Sequence, residues 1–78
     1  MTQVQNIASL IDLCEQNKNE FFILLNGGLR SSKTIYFDGR LFDIIHEVDF
    51  SDSTMSIEEL SDSFIGEALQ KGALYCYE

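Results

Sequence analysis

Carboxylates are the residues of this chain whose number and spacing could do chemistry. Residues 38–67 hold nine of them, Asp38, Asp43, Glu47, Asp49, Asp52, Glu58, Glu59, Asp62 and Glu67, against one base, Arg40. The other 48 residues carry four acids and four bases, so the whole net charge of −8 belongs to that stretch. Carboxylates at this density can hold a metal, pass a proton or face a basic partner. The metal pattern fails in detail. Asp49, Ser51, Ser53 and Glu58 or Glu59 approach a calcium loop, but its sixth position is Thr54 instead of glycine and its twelfth is Leu60 instead of glutamate. One histidine and two distant cysteines make no zinc set. Recognition remains: a one-sided negative field draws basic partners and repels nucleic acid and anionic membranes.

The strand period puts Glu47 and Asp49 on one side, about 6.7 Å apart, with Asp43 further back on the same side. Phosphates along one nucleic-acid strand advance by about 3.4 Å per nucleotide along the axis, so such a row resembles phosphates to a basic groove. Glu58 and Asp62, four apart on a predicted helix, face together and repel each other; Glu59 adds to them. The competing reading is a solvated, solubilising surface, with Glu58 and Glu59 placed where a helix dipole favours anions.

A second constellation lies at residues 27–33. Gly28, Arg30, Ser31, Ser32 and Lys33 combine a free backbone, two hydroxyls and two cations that could hold a phosphate or carboxylate. The spacing is not that of a P-loop. The competing reading is a flexible connection whose cations offset the acidic half. His46, the lone histidine, falls on the core side of a predicted strand, and nothing positions a nucleophile beside it. No catalytic residue, metal or cofactor is expected, and the chain is read as not an enzyme. Cys14 and Cys76 fall in apolar segments and read as buried thiols of a cytoplasmic protein. With no apolar stretch near ~20 residues, no membrane partner is expected.

These residues must be positioned by a small domain. At 78 residues and 45% hydrophobic content, residues 1–78 read as one compact domain. Val4, Ile7, Ala8, Ile11 and Cys14 predict a helix over 3–16, capped by Thr2. The apolar run ending at Asn26-Gly27-Gly28 predicts a strand over 20–26. Asp38-Gly39 predicts a two-residue hairpin joining strands 33–37 and 40–48. In that register Ile35, Phe37, Phe42, Ile44 and Val48 face the core, while Tyr36, Asp43, Ile45, Glu47 and Asp49 point outward. Residues 51–54 read as a loop. Ser56 and Glu59 fit a capping box for a second helix ending at Lys71-Gly72. A short strand, 73–77, closes the chain. The expected fold is α+β, in the order α-β-β-β-α-β: a three-strand antiparallel meander and a C-terminal strand, packed with two helices.

The segments Asn26-Gly27-Gly28-Leu29-Arg30-Ser31-Ser32-Lys33, His46-Glu47-Val48-Asp49, Glu58-Glu59-Leu60, Ile65-Gly66-Glu67-Ala68 and Lys71-Gly72-Ala73-Leu74 resemble, in the same order, a group of short uncharacterised proteins of bacteria, phages and other mobile elements. More loosely, a small acidic α+β chain with a meander resembles phage inhibitors of bacterial defence, including anti-CRISPR proteins. That resemblance implies a nucleic-acid mimic that inhibits a basic, nucleic-acid-binding host protein. No motif of those inhibitors matches residue for residue, so no functional residue is carried over. The expected contacts are Asp43, Glu47, Asp49, Glu58, Glu59 and Asp62, with Tyr36 and Ile45 as anchors, on a monomer or weak homodimer that binds no nucleic acid directly. The alternative is a regulatory module that senses a phosphorylated or anionic ligand through residues 27–33.

Overall fold

The computed structural model describes residues 1–77. The fold is α+β, as the residue pattern requires. The described residues form strands β1 (Thr2–Gln3), β2 (Glu20–Leu24), β3 (Arg30–Phe37), β4 (Leu41–His46), β5 (Asp52–Ser56) and β6 (Leu74–Cys76). The helices are α1 (Ile7–Glu15), α2 (Ile57–Ser61) and α3 (Phe64–Lys71). All strand pairs are antiparallel, in the order β1-β6-β2-β3-β4-β5. The expected meander runs from β2 to β4 and extends into β5, while β6 lies inside the sheet between β1 and β2.

Strand alternation sends Phe21, Ile35, Phe42, Ile44, Leu74 and Cys76 to one face, where they meet Leu10 and Cys14 of α1, Leu60 of α2, and Ile65 and Ala68 of α3. Burying each large aliphatic or aromatic side chain stabilises the fold by about 1.5–3 kcal/mol. The helices therefore line one face, and the opposite face is left without a helix.

Several details depart from the sequence reading. Val4 is buried but lies before the helix, and the cap of α1 is Asn6, whose side chain accepts from Ser9 N. Thr2 instead belongs to β1. The β3–β4 register pairs Phe37 with Phe42 and Ile35 with Ile44, two residues off the expected pairing. Asp38 N donates to Leu41 O, so Gly39 and Arg40 form the turn. A shift by two preserves which side chains face inward. Val48, expected in the core, is 86% exposed, because β4 ends at His46. Residues 51–54 are mostly strand: β5 pairs along β4 from Ile45–Asp52 to Leu41–Ser56.

The expected second helix is broken into α2 and α3. Ser63 caps α3, accepting from Ile65 N while its hydroxyl donates to Leu60 O at 2.6 Å. Gly66 makes the elbow possible, because a Cβ there would strike the Ser61 carbonyl. The capping box holds: Ser56 Oγ accepts from Glu59 N, and Glu59 Oε1 accepts from Ser56 N. Gly72 ends α3 at φ +67°, in the left-handed region that suits glycine.

Candidate interaction surface and cavity

Contiguity in sequence becomes contiguity in space. Residues 38–67 build β4, β5, α2 and the first turn of α3, so the charge is concentrated along one edge of the sheet. Within that edge the carboxylates divide between two faces. Tyr36 pairs with Asp43, Asp43 with Thr54, and Ile45 with Asp52, so Tyr36, Asp43, Ile45 and Asp52 share the helix-free face. Glu47, just past β4, joins them: its Oε1 accepts a 3.0 Å bond from the Thr34 hydroxyl, on that same face. Glu58, Glu59 and Asp62 are exposed on or beside α2, in the helical layer. The expected single plane of carboxylates is thus an acidic rim that wraps around β5.

The anchors differ from each other. Tyr36 is 48% exposed, whereas Ile45 is half-buried and offers less contact area. Asp49 does not continue the strand row. It sits in the turn after β4, where its Oδ1 accepts from Ser51 N at 3.0 Å, and this bond to the Ser51 amide holds its pKa below the ordinary value. Glu59 is lowered in the same way by the Ser56 amide, and Asp38 by the Leu41 and Arg40 amides. These three carboxylates stay charged while shaping turns and caps.

Asp43 behaves in the opposite sense. Its Oδ1 is buried and accepts no hydrogen bond in the ionised state. The Asp52 carboxyl raises its pKa, first through the hydrogen bond that a shared proton makes between them, then through burial and charge repulsion. Asp52, expected in a loop, lies in strand β5 and faces the same way as Asp43.

The residues of the 27–33 loop do not converge. Gly28 is exposed at φ +81°, in a turn closed by Leu25 N donating to Leu29 O. Arg30 stacks over Phe22 at 4.6 Å on the helix-free face, where Phe22 also meets Tyr75 and Tyr77. Ser32 pairs with Phe22 and shares that face. Ser31 and Lys33 point to the other face. They line a cavity of about 400 Å³ between the ends of β2, β3 and β4 and helix α3, together with His46, Phe64 and Lys71. The expected five-residue anion nest is therefore split by the sheet. His46, Phe64 and Lys71 were missed as cavity residues, although the inward parity of Lys33 and His46 with Ile35 and Ile44 was a usable signal.

Cys14 and Cys76 are buried thiols that are not joined in a disulfide. Burial, with the neighbouring Cys76 and Glu15, pushes the Cys14 thiol up to about 11. No group of three or more His, Cys, Asp or Glu among the described residues is placed to hold a metal. No described helix is long and apolar enough to cross a membrane. Compared with known proteins, the chain matches no family model, no curated protein and no solved structure.

Proposed function

We propose that this protein is a non-enzymatic binding module whose acidic rim docks into the basic groove of a nucleic-acid-handling host protein and competes there with nucleic acid. The observation that supports this reading most is the segregation of charge: nine acids and one base fall in a segment that folds into one edge of the sheet. The chain's other cations do little to cancel them there. Arg30 lies over Phe22 and Lys33 points into the cavity beside α3, while Lys71 pairs with Glu67 at 2.8 Å and so offsets one of the nine acids. A rim that bends around β5 suits a concave groove better than a flat binding partner. Asp43, Glu47 and Asp52 would meet one wall, and Glu58 and Asp62 the other. Exposed ion pairs contribute little net affinity, so Tyr36 supplies the apolar contact beside them.

The test is capture from a bacterial lysate on the immobilised protein, at low and at moderate salt. Nucleic-acid-binding proteins should be retained at low salt, released as screening rises, and displaced by added nucleic acid. The double reversal Glu47→Lys with Asp62→Lys, one change on each face, should retain none of them. Equal capture by wild type and reversal would sink the reading.

A further inference from the structure

Lys33 is only 6% exposed, and no carboxylate among the described residues lies within ion-pair distance of it. Its ammonium has three donors. One makes a 2.6 Å bond to Ser31 Oγ; the only other acceptor among the described residues is Ser32 O, at a long 3.5 Å. Burial lowers the pKa of this amine, while Asp49 and Glu47 act on it from a distance in the opposite sense. A buried charge without a counter-charge is costly. Lys33 Nζ also lies 5.9 Å from the centre of the Phe64 ring, and both Phe64 and Ser31 form the cavity wall. The head group is therefore directed into the space.

The cavity has the wrong charge for this chain. In a protein of net charge −8, its wall holds two lysines and the only histidine, against one acid, Glu67, which is already bound to Lys71. His46 and Phe64 lie ring to ring at 5.3 Å and fix that side of the wall. The remainder is largely apolar, with Ile23, Leu24 and Leu25 along β2 and its exit. Its volume falls in the lower part of the range of small-molecule sites, about 300–1,000 Å³.

We propose that this cavity binds a small organic acid, whose carboxylate takes the free donor of Lys33 and whose apolar body lies against Phe64 and Leu25. The sheet separates this site from Asp43, Glu47 and Asp52 on the helix-free face, and the one acid of residues 38–67 on its wall, Glu67, is already bound to Lys71. The apolar wall selects against inorganic phosphate, which has no group to place there.

The experiment is an NMR titration of the wild-type protein with 4-phenylbutyrate, its neutral amide and inorganic phosphate, followed by the same titration of Lys33→Met. Phenylbutyrate should shift the signals of Ser31, His46 and Phe64, with the amide at least tenfold weaker. Lys33→Met should lose at least tenfold in affinity for the acid. The comparison of acid with amide uses only the wild type, so it decides the matter even if the variant fails to fold. Equal binding of acid and amide, full affinity in a folded Lys33→Met, or shifts confined to the acidic rim would each overturn the proposal. So would absence of binding at millimolar ligand. A response to phosphate alone would also overturn it, and would point to a phosphorylated ligand.

Discussion

Asp43→Asn should stabilise the fold at neutral pH while weakening the acidic rim. The Asp43 carboxylate has a buried Oδ1 with no hydrogen-bond partner and lies beside the Asp52 carboxyl. An unsatisfied buried polar atom costs about 1–3 kcal/mol, and the rest of this side chain reaches solvent, which puts the cost near 1 kcal/mol. Asparagine keeps the shape, removes one of the two like charges and brings an N–H that Asp52 can accept. The expected gain is about 1 kcal/mol, or about 4–8 °C in melting temperature for a domain of this size. The pH dependence gives a second reading. A carboxyl whose pKa is raised by folding contributes stability that is present at low pH and lost as pH rises through its folded value. The variant's advantage should therefore be complete above the raised pKa of Asp43 and fade as pH falls toward the ordinary aspartate value of 3.8. Asp38, Asp49, Glu59 and Glu67, whose pKa values are lowered, act in the opposite sense in both proteins and cancel in the difference. Urea denaturation of both proteins across the acid range measures it. A variant less stable than wild type at neutral pH, or a difference that does not change with pH, would refute the reasoning.

Gly66→Ala tests the elbow between α2 and α3. Alanine gains about 1 kcal/mol of helix propensity over glycine, but its Cβ would press on backbone atoms of Ser61 and Leu60, which have no flexible end to move. Overpacking of this kind costs about 1–3 kcal/mol, so denaturation should show a net loss, and unchanged stability would mean that the helices part freely. The two thiols should resist alkylation at mildly alkaline pH until the protein unfolds, since both are buried and Cys14 is pushed up to about 11. Rapid modification of Cys14 in the native protein would contradict its placement against Ile35.

What could be read from the residues was set by parity and capping. Inward and outward positions of β3 and the body of β4 survive a two-residue register error, because side chains repeat every two residues. Ser56, Glu59 and Gly72 carry their own local hydrogen-bond logic, and each stands where its chemistry requires. β5 was illegible because only Met55 packs firmly against the core from an edge strand of mostly polar residues. The elbow was illegible because Leu60, Phe64 and Ala68 keep helical phase across Ser61-Asp62-Ser63, so periodicity alone runs straight through it. The cavity needed three dimensions. Lys33 and His46 come from neighbouring strands that pair residue for residue, and Phe64 arrives from a helix far along the chain.

The two proposed sites depend on one property of the sheet, its coverage on one face only. Helices bury the side that carries Ile35 and Ile44, and that same side holds Lys33 and His46 where α3 leaves a gap. The helix-free side displays Tyr36, Asp43 and Asp52. Alternation along β3 therefore sends Lys33 to one face and Thr34 and Tyr36 to the other, so a buried cation and part of an acidic contact surface come from consecutive residues of one strand. Turned inward and bonded to Ser31, Lys33 forms no ion pair with the carboxylates of β4 and β5, and their field points to solvent. A partner that brings positive charge to this edge meets little competition from the chain itself. The cation withdrawn from the surface stays available to a small acid that enters from the other side.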